Sequence, residues 1–507
     1  MALHLFASYP ICSFTKQPSR TCSFRLLKIG NIFSPLGCLV SPKLAKKTIV
    51  RRSANYQPPI WDFNFVQSLK SEYGGEVYTN RISKLKEEVR LILLKQAVDP
   101  LDQLQLIDTL QRLGLAYHFE DEIKSILMSI YSHNNARRED LYATALEFRL
   151  LREHGYKIPQ EIFNSFQDEV GNFKKCLCED WEGMLSLYEA SFLSDENEDI
   201  LQNARDFTTT CLRKFVQQSQ DQNLSNLVSH ALEIPLHWRM LRLETRWFID
   251  VYERKQGMNP LLLELAKLDF NNVQMIHQND LKHVSRWWRS TGLGEKLSFA
   301  RDRLMENFFW SIGVIFKPQF SYCRRMLTKV GALLTTIDDI YDVYGTLDEL
   351  ELFTDAVQRW DVNAVEQLPD YMKICYLSLH NTINEIAFDF LREQGIHIVP
   401  YLKRADELKR GDVPKSIQCY MHETGASEKE ARDHIRFLIS ETWKEMNEEK
   451  STYSPFSETF ISIAFNLARM AQCMYQHGDG HGIEDRETKD RVVSLLVQPI
   501  PCLNKVV

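Results

Sequence analysis

The chain has 507 residues, which is long enough for two or more domains with large cores. Its hydrophobic and charged fractions, 44% and 25%, are ordinary for a soluble globular protein, and no uncharged apolar stretch is long enough to span a membrane. The formal net charge of −7 falls to −14 without the seven basic residues among the first 50, so we expect neither nucleic acid nor an anionic membrane as a partner.

Residues 1–50 differ in composition from the rest of the chain. They contain no Asp or Glu, six serines, and the basic residues Lys16, Arg20, Arg25, Lys28, Lys43, Lys46 and Lys47. A basic, serine-rich and acid-free leader without a long apolar run is typical of an organelle transit peptide.

After the leader, apolar residues recur every three or four positions and strand-like alternation is scarce. Two such stripes are Ile82, Leu85, Val89 and Ile92, and Leu104, Ile107, Leu110 and Leu113. This period predicts helices that turn one face to a core, so we expect an all-α protein.

The cysteines show no metal-binding pattern. Three of the 11 lie in the leader, and among the others only Cys176 and Cys178 are close together, which is not the spacing of a zinc site. In a reducing compartment we expect free thiols. Cys323, Cys375 and Cys473 have apolar neighbours and are interpreted as small core residues.

Three carboxylates are concentrated in Asp338-Asp339-Ile340-Tyr341-Asp342. On a helix, Asp338 and Asp342 share a face, and they would repel each other unless cations neutralise them. Mg2+ prefers such oxygen ligands and shares its shell with substrate phosphates, so the motif indicates a phosphorylated or diphosphorylated substrate. A solvated acidic helix end is the alternative interpretation of the motif taken alone.

Further motifs accompany this one in a fixed order along the chain. They are Arg51-Arg52 with Trp61 nine positions after Arg52, Arg301-Asp302-Arg303, Val343-Tyr344-Gly345-Thr346, Arg410-Gly411-Asp412-Val413-Pro414-Lys415-Ser416, and Tyr475 with Asp479-Gly480. Together they resemble the plant terpene synthases over most of the chain. The tandem arginines behind a leader resemble the monoterpene-forming branch.

The resemblance implies an architecture and a location. Residues 1–50 would be a plastid transit peptide for the chloroplast stroma, 51–258 an amino-terminal helical domain resembling an α-barrel, and 259–507 the catalytic, metal-binding helical domain. The first domain contains no Asp-x-Asp-Asp string, which argues against cyclisation started by protonation.

One departure from the family pattern lies at the junction of Ala405 and Asp406. Relatives run through several more helices here and end them in a second metal motif, Asn/Asp-Asp-x-x-Ser/Thr-x-x-x-Glu. This chain retains only Glu407, which aligns with the final glutamate. The gap is on the order of eighty residues, about four or five average helices.

The resemblance also implies a reaction. Mg2+, or alternatively Mn2+, would bind the diphosphate of geranyl diphosphate and promote its departure as an allylic cation forms. The metal ligands would be Asp338, Asp339, Asp342 and Glu407. On a helix, the Asp339 side chain points about 100° away from that of Asp338. The alternative role of Asp339 is therefore to orient the metal ligands without binding the metal itself.

Other residues receive roles by the same resemblance. Arg301 and Arg303, on the helix before the aspartate helix, would hold the departing diphosphate, with Lys415 as a further contact. The remaining candidates are Trp310, Tyr341, Tyr344 and Tyr475 for an aromatic cavity wall, Asp479 for ordering the closing loop or accepting a proton, and Arg51 and Arg52 for capping the site and assisting isomerisation. The alternatives are simple core packing for the aromatic residues, a local salt bridge of Arg301 or Arg303 with Asp302 or Glu306, and a basic end of the leader for Arg51 and Arg52.

Three hypotheses about function follow. The first is an active monomeric monoterpene synthase, and the second is an impaired member of that family that lacks the third-metal site. The third is a helical interaction protein without activity. The intact acidic motif and the arginines count against the third, whereas the departure at Ala405 counts against the first.

Overall fold

The computed structural model describes residues 51–95, 99–132, 140–399, 416–451, 456–481 and 486–502. Within these ranges the chain is helical, and its only recorded strand-like pairing is an isolated bridge between Gln167 and Phe173. No helix in the described ranges is long and apolar enough to cross a lipid bilayer. The leader 1–50 lies outside the described residues, as do Glu407 and Lys415.

The first group of helices precedes residue 258. It consists of α1 (Phe63–Ser68), α2 (Glu76–Leu93), α3 (Pro100–Arg112), α4 (Glu120–Ser132), α5 (Leu141–Glu153), α6 (Trp181–Ser191), α7 (Asp199–Gln218), α8 (Gln222–Glu233) and α9 (Leu241–Arg254). Side-chain caps begin several of them, as at α3, where Asp99 accepts from the Leu101 N–H and Pro100 occupies the first turn.

The second group follows a turn at residues 255–259. It consists of α10 (Pro260–Thr291), α11 (Leu293–Lys296), α12 (Leu304–Val314), α13 (Ser321–Asp339), α14 (Leu347–Arg359), α15 (Asp370–Gln394), α16 (Ser416–Thr424), α17 (Glu428–Ser451), α18 (Glu458–Tyr475) and α19 (Arg486–Leu496). The long helix α10 begins at an Asn259 cap followed by Pro260 and ends at Gly292, whose positive φ of 68° suits a residue without a side chain.

Within the described residues, two hydrophobic cores hold the helices together. The larger core contains every residue of the two predicted stripes except Ile92, which is half-buried, and it extends from α2 through α10, α12, α18 and α19. It therefore crosses the predicted boundary at 258/259. The smaller core joins the end of α10 to α13, α14 and α15. Because α10 and α13 border both cores, they form the rigid frame from which the acidic motif projects.

The expectation of free thiols is wrong at one place. Cys178 and Cys211 form a disulfide, because a short 3-10 segment (Lys175–Glu179) lies across α7 and brings their Cα atoms to 5.7 Å. A separation of 33 residues conceals this pairing in the sequence. Cys375 and Cys473 are buried free thiols, as predicted, and Cys323 is a half-buried free thiol.

Candidate active site

The acidic motif lies where α13 ends. The α-helix stops at Asp339, and Ile340–Tyr344 continue as one π-helical turn, which a 2.8 Å hydrogen bond from the Gly345 N–H to the Ile340 carbonyl oxygen closes. A Cβ on Gly345 would come within 2.9 Å of that oxygen, so glycine permits the wider turn. The regular helix expected through the motif is thus replaced by a π turn, a feature frequent at functional sites.

The three carboxylates of the motif have different surroundings. Asp338 is half-buried, Asp339 is fully buried and Asp342 is exposed. Asp339 pairs with Arg301: its oxygens accept from the Arg301 backbone N–H at 2.7 Å and from Nε at 2.9 Å, and Nη2 lies 2.8 Å from Oδ1. Burial alone would lower the pKa of Arg301, but Asp339 outweighs it and the net shift is upward. Asp339 is therefore committed to Arg301.

The position expected for the two arginines needs a correction. Arg301 and Arg303 lie in the connection before α12, where Arg303 is the residue that precedes the first helical turn, and not on a helix. The alternative partners of Arg301 are engaged elsewhere. Asp302 accepts from Trp288, and Glu306 accepts from Trp61. Asp339 is the stronger competitor because it offers Arg301 two oxygens in a buried setting.

Arg303 is buried beside the amino-terminal arm, which we define as residues 51–62. Its guanidinium donates to the Gln57 carbonyl at 3.4 Å, and its side chain is only 2% exposed. Tyr56 of the arm stacks against the Arg301 guanidinium, whose carbon lies 5.1 Å from the ring centre. Burial and then the Asp339 charge raise the pKa of Tyr56. The arm therefore covers the two arginines.

The arm is anchored at both ends. Arg51 Nη2 donates to Glu349 at 2.8 Å, and the Arg51 guanidinium also lies over the rings of Tyr344 and Tyr371 at 4.7 and 5.0 Å. The Arg51 hydrogen bond is the main reason why the pKa of Glu349 falls to about 2. At the other end, Trp61 Nε1 donates to Glu306 at 3.2 Å. In contrast, Arg52 is exposed.

The predicted aromatic residues separate into two groups. Tyr344 stacks on Phe299 with ring centres 3.7 Å apart and belongs to the arm's anchor. Trp310 instead meets Tyr475 edge-on at 6.4 Å, and Tyr475 remains 53% exposed. Tyr341 is half-buried and contacts Thr354. The structure therefore brings only Trp310 and Tyr475 together as a possible wall.

His481 is a site residue that the sequence analysis missed. Its ring lies edge-on to Trp310 at 6.4 Å, and its Nε2 is 3.4 Å from Asn307 Oδ1. Its backbone N–H donates to the half-buried Asp479 at 3.3 Å. Burial, reinforced by the charge of Arg301, lowers the pKa of His481 to about 4, so the imidazole is neutral near pH 7. Its adjacency to Asp479-Gly480 was the available sequence signal.

Within the described ranges, no three His, Cys, Asp or Glu side chains converge as a metal-binding group. The described part of the chain thus offers Asp338 and Asp342 as outward carboxylates, with Arg301 beside them. This arrangement can hold a cation shared with a phosphate group, since both kinds of partner face the same end of α13.

Comparisons with known proteins identify the family. The model described as "Terpene synthase, N-terminal domain" matches residues 60–232, "Terpene synthase family, metal binding domain" matches 289–405, and "Terpene synthase family 2, C-terminal metal binding" matches 404–445. The chain belongs to the plant terpene synthase family. Terpene synthase 10 of Ricinus communis is 58% identical over 551 positions, which cover 91% of this chain and 100% of the relative.

Other relatives of this terpene synthase carry monoterpene products in their names. The chloroplastic myrcene synthase of Quercus ilex is 53% identical and fully covered, as is this chain. A crystal structure of limonene synthase with 2-fluorolinalyl diphosphate superposes with a TM-score of 0.86 at 41% identity, covering 89% of this chain and 100% of that one. The expected monoterpene synthase branch, all-α fold, lyase class and plastid location are confirmed.

A second solved structure is informative about ions. Isoprene synthase of grey poplar, in complex with three Mg2+ ions and a thiolodiphosphate, superposes with a TM-score of 0.80 at 41% identity, covering 88% of this chain and 100% of that one. A divalent metal is therefore the cofactor of this terpene synthase as well.

Proposed function

We propose that this chain is a Mg2+-dependent monoterpene synthase that acts as a monomer and ionises geranyl diphosphate. The observation that carries the proposal is the arrangement at the end of α13: Asp338 and Asp342 project outward while Arg301, fixed by Asp339, lies beside them under the arm. A cationic group next to outward carboxylates suits a metal-bound diphosphate, whereas a solvated acidic helix end would need no such neighbour.

The donors fit the ion. Asp338 and Asp342 supply hard oxygen ligands, and Mn2+ fits the same set. When bound, Mg2+ would draw electron density toward the diphosphate and weaken the bond to the allylic carbon. We assign Asp339 to positioning Arg301, since its oxygens already accept three hydrogen-bond contacts from that residue.

The other residues would act on the substrate directly or exclude water. Arg301 would hold diphosphate oxygens with its guanidinium, and the arm over it would keep water from the allylic cation. Trp310 would present an aromatic face to that cation without offering a nucleophile. His481, neutral near pH 7, would accept the proton that ends the reaction, and Asp479 would hold its loop.

An impaired enzyme is the second candidate, and specific observations favour it. The alignment with the Quercus ilex relative runs over 598 positions, 91 more than this chain has residues, and two family models meet at residues 404–405. Large apolar side chains are exposed on both sides of that point. They are Phe388, Leu391 and Ile396 before it, and Phe437, Leu438 and Ile439 after it. These observations support the loss of a helical block.

Headspace analysis separates the two candidates. Residues 51–507 would be incubated with geranyl diphosphate and Mg2+, with the Ricinus communis relative as the positive control and Asp338→Asn as the variant of lowered activity. Volatile monoterpenes that depend on Mg2+ and on Asp338 support the proposed function. Soluble protein that yields none, beside an active relative, supports the impaired enzyme.

A further inference from the structure

The disulfide between Cys178 and Cys211 lies on the surface of the amino-terminal helices. The Cys178 side chain is exposed and Cys211 is half-buried. Their Cα separation of 5.7 Å is the common one for disulfides, so the backbone accommodates the bond. Cys176, two residues before Cys178, is an exposed free thiol that does not take part.

The bond joins an irregular segment to a helix. Residues 160–179 contain two 3-10 turns and the isolated bridge between Gln167 and Phe173. Apart from the disulfide, this segment is held to α7 by Phe173 stacking on Phe207 at 5.7 Å and by Gln160 accepting from the Ile200 N–H at 2.9 Å. Phe163, Phe166 and Phe173 of the segment are also buried in the larger core, so the covalent bond adds to an attachment that is otherwise hydrophobic.

Helix α7 connects the disulfide to the carboxyl-terminal helices. Arg205, six residues before Cys211, donates from Nη1 to Ser440 of α17 at 3.2 Å and from Nη2 to the Ser191 carbonyl at 2.8 Å. Its guanidinium also lies 4.2 Å from the Phe192 ring centre. A displacement of α7 would therefore alter the contact that Arg205 makes between the first and the second group of helices.

We propose that Cys178 and Cys211 form a reversible redox site that a dithiol reductant opens and the oxidised, disulfide form of the same dithiol closes. The plastid location places the bond in a reducing compartment, and exposed disulfides are the labile class. A thiolate of the dithiol attacks the exposed Cys178 sulfur, and Cys211 leaves as a thiolate that takes up a proton. The second thiol of the reductant then displaces Cys178, so two electrons and two protons pass to the protein and the dithiol becomes a disulfide.

Reduction has a structural consequence. With the bond open, the segment 160–179 is held by its side-chain contacts alone, and it opens more often. We expect the melting temperature to fall by about 5–10 °C, which is the order of magnitude for loss of one loop-closing disulfide in a helical unit of this size. Proteolysis should accelerate within 160–179.

The test uses residues 51–507 equilibrated in mixtures of reduced and oxidised dithiothreitol. Alkylation of the native protein followed by peptide mass spectrometry reports the state of each cysteine, and thermal melting reports stability. We expect Cys178 and Cys211 to convert together and reversibly, while Cys176 stays alkylatable throughout. The variant C178S/C211S should melt like the reduced protein in both buffers, and the matched control C176S should behave like the wild type.

Several results would overturn the proposal. Free Cys178 and Cys211 under oxidising conditions would show that the bond does not form. Failure of excess dithiothreitol to open it in the native protein would make it a permanent structural bond. Equal melting temperatures and equal rates of proteolysis for the oxidised and the reduced protein would show that the disulfide does not stabilise the fold. If C178S/C211S does not fold, the alkylation of the wild-type protein still decides the outcome.

Discussion

Asp338 and Asp339 are neighbours in the chain, yet the structure gives their carboxylates different partners. Asp339 is buried against Arg301, whereas Asp338 is only half-buried at the end of α13. Sequence reasoning found the motif and anticipated that Asp339 points away. It could not find Arg301 as the partner, because 38 residues separate the two and no local pattern links them.

We expect Asp338→Asn to lower kcat by about 100- to 1,000-fold and to raise the Mg2+ concentration needed for half-maximal rate, because an electrostatic contribution to the departing diphosphate is lost. Asp339→Asn should instead raise the KM for geranyl diphosphate through a displaced Arg301, with the Mg2+ requirement unchanged. Steady-state kinetics at varied Mg2+ would measure both, with the exposed Asp348→Asn as control. Equal shifts in Mg2+ requirement for both variants would contradict this division of roles.

Glu349 permits a test by pH. Arg51 holds its pKa at about 2 in the folded protein, below the ordinary value of 4.5, so the unfolded state takes up a proton first as the pH falls. The stabilisation is therefore complete above pH 4.5 and is lost as the pH falls toward 2. We expect wild type to exceed Glu349→Gln in free energy of unfolding by on the order of 1 kcal/mol near pH 7, after allowance for solvent screening.

Urea denaturation followed by circular dichroism between pH 2 and 7 would measure that difference. It should shrink on the acidic side of the range. A difference that stays constant with pH would mean that the ionised Glu349 does not stabilise the folded arm.

At the scale of elements, the contacts that anchor the amino-terminal arm were the hardest to predict from the sequence. The motif of tandem arginines and a later tryptophan predicted a cap. It did not show that Arg51 is anchored on Glu349, 298 residues away, or that Trp61 binds Glu306 of α12. Contacts of such long range depend on the packing of α12 and α14, which a single sequence does not display.

The arm's anchor distinguishes the two arginines. We expect Arg51→Ala to raise the share of alcohol products several-fold, because a loosened arm lets water reach the allylic cation. The exposed Arg52→Ala serves as the matched control and should stay close to wild type in this ratio. Gas chromatography with mass spectrometry of products formed in H218O would measure the share of alcohol products and the 18O that they take up from water. A larger effect from Arg52→Ala would contradict the assignment of the cap to Arg51.

At the scale of the whole molecule, helical periodicity predicted the all-α fold because it requires only local patterns. The stripes at Ile82–Val89 and Leu104–Leu113 do lie in the larger core. The disulfide and the π turn escaped prediction, since one depends on two segments meeting and the other on the close approach of Gly345 to Ile340. His481 escaped because a histidine in a loop carries no pattern of its own.

The exposed apolar side chains of α15 and α17 lead to a prediction about the whole chain. Phe388 and Phe437 are 61% and 57% exposed. We expect insertion of the Ricinus communis relative's corresponding helical segment between Ala405 and Asp406 to raise the melting temperature and to reduce binding of a hydrophobic dye. A flexible Gly/Ser insertion of equal length is the control. An equal response to both insertions would show that these faces do not lack a helical cover.

We propose that this chain ionises geranyl diphosphate through the carboxylates at the end of α13. The most direct measurement is the rate of diphosphate release and volatile formation by residues 51–507, with and without Mg2+. We predict a Mg2+-dependent rate well below that of the Ricinus communis relative, abolished by chelation and lowered about 100- to 1,000-fold by Asp338→Asn. A rate that survives chelation or is unchanged by Asp338→Asn, or soluble folded protein with no release at all, would contradict the claim.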